Sequence, residues 1–252
     1  MYDDACRFLA EHFSADFASW LMGESITLTE LKPSELSLAP IRTDALILLE
    51  SNESVLHLEF QTRPDPDIPF RMLDYRARVY RKYPNKIMRQ VVIYLKQTGS
   101  DLVRQTSFQL EQTRHEFAVV RLWEQPATLF LQYPGLIPFA TLGQSINAEE
   151  TLRQAAQLVE QISDLVTRAN LMAASGILAG LKLEDEVIYR ILQRDIMQES
   201  TVYRSIQKEE RRSIALNLLR GGVKINLIAS ATGLSIEEVQ QLQEQMSESS
   251  QS

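Results

Sequence analysis

Two strongly apolar runs sit close together in the first quarter of the chain, at residues 44–50 (DALILLE) and 55–62 (VLHLEFQT). Both are rich in β-branched or large apolar side chains. The polar segment Ser51-Asn52-Glu53-Ser54 between them suits a turn. This pattern predicts two antiparallel strands. Alternation along a strand puts Asp44, Leu46 and Leu48 on one face of the first, and His57, Glu59 and Gln61 on one face of the second. A turn centred on Ser51-Asn52 pairs Glu50 with Glu53 and sets Asp44 opposite Glu59. Directly opposed residues point the same way, with Cβ atoms about 4.5–5.5 Å apart. A slip of one residue sends one of the two carboxylates to the other side.

Further patterns flank this hairpin. Cys6, Leu9, Phe13, Phe17 and Trp20 recur at helical steps and predict one helix over 3–23, which Asp3 or Asp4 can cap. Residues 25–38 predict a first strand broken at Pro33. A helix from Ile68 or Pro69 to Tyr83 follows the loop Pro64-Asp65-Pro66-Asp67, and Pro84-Asn85 ends it. Residues 88–95 form a nearly continuous apolar run, the mark of a strand buried on both faces. Another strand is expected over 115–123, and loops with short turns over 126–143. From Asn147, a helix cap followed by Glu149 and Glu150, the chain turns helical. The expected helices run over 147–166, 168–178, 184–193 and 201–220. The order predicts an α/β fold, a mixed sheet with flanking helices, followed by a helical C-terminal region.

Composition narrows the class. An apolar content of 44% is ordinary for a chain with a full core, and 252 residues allow one large domain or one domain with a helical appendage. Cys6 is the single cysteine, so no internal disulfide or cysteine-based metal site can form. The start MYDDACRFLAEHF lacks the apolar run of a secretory signal. No stretch approaches the roughly 20 apolar residues of a membrane span. A soluble, cytoplasmic protein without a membrane partner is the expectation. The net charge of −7 argues against a surface coated for DNA, because phosphate contacts supply most non-specific affinity. One local cluster runs the other way. Arg71, Arg76, Arg78, Arg81, Lys82, Lys86 and Arg89 fall together with Tyr75, Tyr80 and Tyr83 interleaved, and within the segment only Asp74 opposes them. It reads either as a solvated helix face over packed aromatic rings or as a surface that tracks phosphates.

Asp44 and Glu59 admit two readings. Each alone suits a solvated residue at a sheet edge. Together they lie inside apolar runs, where an unpaired buried charge is expensive. Two oxygen ligands at that spacing suit a hard divalent cation such as Mg²⁺, or a proton-handling pair. Glu35 is a second-tier candidate that reads first as a polar residue near a strand end. His57 shares the face of Glu59 and reads as a structural histidine.

The text RTDALILLE, HLEFQTRPDPDIPFRMLDYRARVYRKY and RQVVIYL resembles the PD-(D/E)XK nuclease superfamily, more narrowly its Rpn or transposase-like branch with cyanobacterial-type members. HEFAVVRLWEQP, FLQYPGLIPFATL and IASATGLSIEEVQ extend the resemblance over nearly the whole chain. It implies a nuclease-like domain over 1–145, a DNA endonuclease activity dependent on Mg²⁺ or Mn²⁺, and a link to recombination or mobile elements. By the same resemblance Asp44 and Glu59 hold the metal. Gln61 stands where most of the superfamily has lysine, as it does in this branch. Glutamine hydrogen-bonds but brings neither charge nor a proton acceptor. Arg71 and Tyr75 match the Arg-x-x-x-Tyr of the branch and lie one turn apart. They read as a phosphate-binding pair or as a structural clamp. With Arg76, Arg78 and Arg81 they make the expected DNA surface. Gln61 and the acidic charge keep a second function open: a catalytically weak or inactive nuclease-fold protein that binds DNA or protein as a regulatory module.

A helical region over 146–220 is expected to lead to a helix-turn-helix-like hairpin over 221–246 and a disordered tail over 247–252. Ala229, Gly233, Ile228, Leu234, Val239 and Leu242 fit the hairpin template. Its second helix carries Glu237, Glu238 and Glu244 and no Lys or Arg, so phosphates would repel it. The hairpin therefore reads first as a packing or dimerisation element, and a homodimer is a candidate assembly.

Overall fold

Why these strands pair as they do follows from the turn between them. The computed structural model describes residues 2–31, 46–192 and 200–249. Strand β2 is Leu46–Glu50 and strand β3 is Ser54–Gln61, with β1, Thr29–Glu30, on the outer side of β2. The Ser51 hydroxyl accepts the N–H groups of Glu53 and Ser54, and Ser51 N–H donates to the Ser54 carbonyl at 2.9 Å. These bonds put Asn52 and Glu53 at the corner, one residue beyond the expected centre. Glu50 accordingly pairs with Val55, and Glu59 lies opposite Leu46 rather than Asp44. The displacement is two residues, so face parity survives: Leu48, expected opposite Val55, pairs with His57 and keeps its face. Asp44 and Glu35 lie outside the described residues.

Helix α3, Ile68–Lys82, carries the chain over to β4, Ile87–Tyr94, which runs parallel to β3. A parallel neighbour needs such a crossover. Pro69 in its first turn suits a helix start, and Pro84 prevents its continuation. Strands β5 (Ser107–Leu110) and β6 (Thr113–Glu116) form a separate two-stranded sheet, and β7 (Ala118–Arg121) adds to β4 in parallel. The single strand expected over 115–123 is thus two strands in two sheets. Buried Phe117 divides them, packing with Ile68, Met72, Val92, Tyr94 and Val103. The main sheet has the order β1-β2-β3-β4-β7, antiparallel through β3 and parallel beyond it. This is a mixed α/β architecture.

Each face of the sheet has its own cover. On one, α3 buries Met72, Tyr75 and Val79 against strand residues that include Leu48, Val55 and Val92. On the other, the Phe60 ring stacks on Phe139 at 5.9 Å and meets Phe17 edge to face at 6.3 Å. Phe17 belongs to helix α2, Ser14–Met22, which follows α1, Tyr2–His12. The one helix expected there is broken at Phe13, where φ is −124° and ψ is 38°. Phe139 belongs to a 3₁₀ segment, Pro134–Leu142, preceded by the short helix α4, Ala127–Phe130. These residues were expected in loops. Tight i→i+3 turns satisfy the backbone internally and let PGLIPFATL enter the core despite its prolines.

The 3₁₀ segment packs against α2, α4, α5 (Ala148–Glu160) and α6 (Leu165–Ala179). Asn147 caps α5 as expected, accepting from the N–H groups of Glu149 and Glu150. That helix ends before 166 because Asp164 caps a new one, accepting from Thr167 N–H at 2.7 Å. Helix α7, Asp185–Ile191, packs on α5. Residues 1–200 form one compact unit and 201–252 a second, so α5, α6 and α7 belong with the sheet.

In the second unit α8, Thr201–Arg220, joins α9, Ile225–Thr232, and α10, Ile236–Ser249. Gly233, at φ 71°, makes the turn between α9 and α10. Ser235 and Glu238 exchange reciprocal bonds at the start of α10, the arrangement of a capping box. Ala215 and Leu219 of α8 bury Ile228, Leu234, Val239 and Leu242. The apolar stripe of the hairpin therefore docks on the preceding helix. Helix α10 extends to Ser249, into the segment expected as a tail. No helix of the described residues is long and apolar enough to cross a membrane.

Gly135 marks the tightest junction of the first unit. Its N–H donates to Asp16 Oδ2 at 2.7 Å, and a Cβ there would collide with the Phe13 side chain. Gly135→Ala is expected to destabilise the protein by about 1–3 kcal/mol, as overpacking does. The midpoint of urea unfolding checks this; an unchanged midpoint would show that Phe13 yields without cost.

Candidate functional site

Between α3 and the sheet, a row of polar side chains interrupts the apolar packing. Glu59 is fully buried, at 0% exposure. Burying a carboxylate requires charge or hydrogen-bond partners. Its Oε1 has both: Gln61 Nε2 donates to it at 2.9 Å, and an Arg71 guanidinium nitrogen lies 3.4 Å away. Among the described residues its Oε2 is buried without a hydrogen-bond partner, 3.7 Å from His57 Nε2. Arg71 extends from the first turn of α3 and also pairs with Asp65 of the preceding loop at 3.0 Å. Asp65 holds that loop by accepting from Asp67 N–H at 2.9 Å. Tyr94, beside Gln61 on β4, lies over the same group. Burial raises its phenol above the ordinary value; Asp65 and Glu59 add to this and Arg71 opposes it.

From Glu59 the row continues inward along β3 and across to β4. Gln90 Nε2 lies 2.7 Å from the Met72 carbonyl and 2.9 Å from His57 Nδ1. A carbonyl oxygen only accepts, so the amide nitrogen must face Met72 and the orientation of Gln90 is fixed. His57 Nδ1 therefore accepts, and the neutral ring carries its proton on Nε2, facing Glu59. Gln90 Oε1 completes the line by accepting from His115 Nε2 on β6 at 2.7 Å. The His57 ring is also held edge to face on Tyr75 at 5.2 Å.

Several expected site residues are brought together here. Glu59, Gln61 and Arg71 meet directly. Tyr75 is buried, 5% exposed, with Leu31, Leu48, Val55 and Val79 around it. The basic cluster divides. Arg71 faces Glu59 and Asp65. Arg76 is half-buried, with one guanidinium nitrogen enclosed and lacking a partner among the described residues. Arg78 pairs with Asp74 at 2.9 Å. Lys86 pairs with Glu50 and lies over the Tyr83 ring at 4.6 Å. Asp74 is thus not the lone opposing acid, because Asp65, Glu59 and Glu50 reach the cluster from outside the helix. Arg81, Lys82 and Arg89 are exposed.

Asp65, Gln90 and His115 were missed by sequence reasoning, and His57 was set aside. Gln90 did leave a signal as a polar residue entering the apolar run VVIYL. For a divalent cation the described residues offer one bare, buried carboxylate oxygen, Glu59 Oε2, which fits a hard ion. Among the described residues no group of three or more His, Cys, Asp or Glu side chains is placed to hold a metal. The expected second ligand, Asp44, lies outside them. Comparison with protein-family models, with curated proteins and with solved structures finds no match to this chain.

His115 carries a pH signature. Burial lowers its pKa, and the Arg76 charge lowers it further. In the unfolded chain the ring titrates near 6.5. Between that value and its lower folded value the unfolded chain binds the extra proton, so stability falls as pH drops through this window. His115→Gln retains an N–H for Gln90 and removes the titration. The stability lost between about pH 7.5 and 5.5, read from urea midpoints, is expected to be smaller in the variant. An equal loss in both proteins would assign the acid sensitivity elsewhere.

Proposed function

We propose that this chain is a divalent-metal-dependent DNA endonuclease built on a PD-(D/E)XK-type sheet, with Glu59 and Asp44 as the metal-holding carboxylates. The observation that carries the reading is the state of Glu59: a fully buried carboxylate with one oxygen anchored and the other bare. Buried carboxylate oxygens in folds are usually satisfied, so the bare one calls for a partner from outside the described residues. A bound Mg²⁺ or Mn²⁺ supplies an activated water and charge neutralisation at a phosphate. Gln61 orients the carboxylate from Oε1. It brings no charge, but the Arg71 guanidinium stands 3.4 Å from that oxygen. Arg71 thereby supplies positive charge beside Gln61, where most of the superfamily places a lysine. Asp65 holds Arg71 from the other side. The exposed Arg81 and Lys82 at the C-terminal end of α3 form part of the DNA surface.

A second reading, a regulatory module without catalysis, is favoured by the same Arg71. Its pairing with Glu59 already compensates the buried charge without any metal. Plasmid nicking with Mg²⁺ or Mn²⁺ separates the two. Nicking by the wild-type chain is expected, and its loss in Glu59→Gln and Asp44→Asn. Wild-type protein that neither nicks DNA nor binds Mn²⁺ in its presence favours the regulatory module.

Replacing Arg81 and Lys82 by Ala is expected to weaken DNA binding irrespective of sequence. Each lost phosphate contact lowers the log–log salt slope by about 0.9. Equal slopes for variant and wild type, by fluorescence anisotropy over a salt series, would remove this surface from the interface.

A further inference from the structure

We propose that His57 is a positioning residue for Glu59, set in its working state by Gln90; this rests on the reading of Glu59 as a metal ligand. Three observations converge on it. His57 and Glu59 are both at 0% exposure, two residues apart on one face of β3. Their facing atoms, Nε2 and Oε2, are each buried without a hydrogen-bond partner among the described residues and stand 3.7 Å apart. The far side of the ring is held: Gln90 donates to Nδ1, and the Met72 carbonyl prevents that amide from turning over.

The chemistry of the ring follows from this anchoring. With Nδ1 occupied as an acceptor, Nε2 carries the proton and has no lone pair to offer. His57 is then a donor toward the carboxylate side of the site and not itself a metal ligand. At 3.7 Å the two atoms are not hydrogen-bonded, so the His57 N–H dipole acts on Oε2 electrostatically and favours this carboxylate orientation, while Gln61 restrains it by a hydrogen bond to Oε1. Outer partners of this kind orient ligands and tune metal affinity, and their loss typically costs about 10–100-fold in binding. His115 extends the support by donating to Gln90 Oε1 from the two-stranded sheet. A histidine that only filled space against Tyr75 would need neither the fixed tautomer nor the amide behind it.

The test uses the full chain and Mn²⁺ as the probe. First, ¹⁵N spectra of the metal-free protein report which ring nitrogen of His57 is protonated. Protonated Nε2 is expected, and protonated Nδ1 overturns the proposal whatever the protein's activity. Second, Mn²⁺ titration calorimetry compares His57→Leu, His57→Gln and Gln90→Leu with wild type, with thermal melts confirming folding. The Gln side chain keeps an N–H near the position of Nε2. His57→Leu and Gln90→Leu are expected to weaken Mn²⁺ binding by about 10-fold or more, and His57→Gln by much less. If wild type binds Mn²⁺ and folded His57→Leu binds it equally well, the positioning role fails while the metal-ligand reading of Glu59 stands. If wild type binds no Mn²⁺ even with DNA present, the metal-ligand reading fails and the positioning role falls with it. Should His57→Leu not fold, Gln90→Leu and the ring spectrum decide between the same outcomes.

Discussion

A carboxylate held away from water organises the centre of this fold. Glu59 lies on a strand whose neighbours on both sides are hydrogen-bonded, under a helix that seals the face. An ionised side chain there is tolerated only with charge and hydrogen bonds around it. Much of the surrounding sequence answers that need. Gln61 lies two residues along the strand, Arg71 extends from the first turn of the crossover helix, and Asp65 holds the guanidinium from the loop between. The β3-α3-β4 unit is therefore a packing unit and an electrostatic one, and the two cannot be changed independently.

What compensates the charge is only half of the arrangement. Gln90 and His115 carry no charge at Glu59, yet they determine which way His57 presents its proton. The line crosses from β6 to β4 to β3 and ties the small two-stranded sheet to the main one. Structural support and site preorganisation are delivered by the same bonds, as expected where a functional group must sit within a packed core.

The apolar runs made the hairpin, the crossover helix and β4 legible from sequence, and the caps at Asn147 and Gly233 marked helix ends correctly. The helix break at Phe13 and the buried 3₁₀ segment were not legible. Both depend on a junction distant in sequence, the seating of Phe13 against Gly135. The site was half legible. Glu59 and Gln61 stood out because polar residues in an apolar strand are costly. The partners of Arg71, and the line from Gln90 to His115, depend on which strands become neighbours, and no local pattern encodes that. The basic cluster misled for a related reason. Its charges looked unopposed along the helix, but Glu59, Asp65 and Glu50 reach it from other elements.

The serine-anchored corner at 51–54 also bears on how this chain can vary in length. Strand β3 is locked to β4 by the crossover, so β2 is the partner free to slide. Adding or removing two residues at the corner would return every side chain of β2 to its own side. Adding or removing one would turn Leu48 toward the Phe60 layer and bring Ile47 and Leu49 under α3. While the two-residue corner is kept, length change at this turn is therefore quantised in pairs, and an odd step keeps the layer beneath α3 only where a longer loop or a bulge absorbs the extra residue.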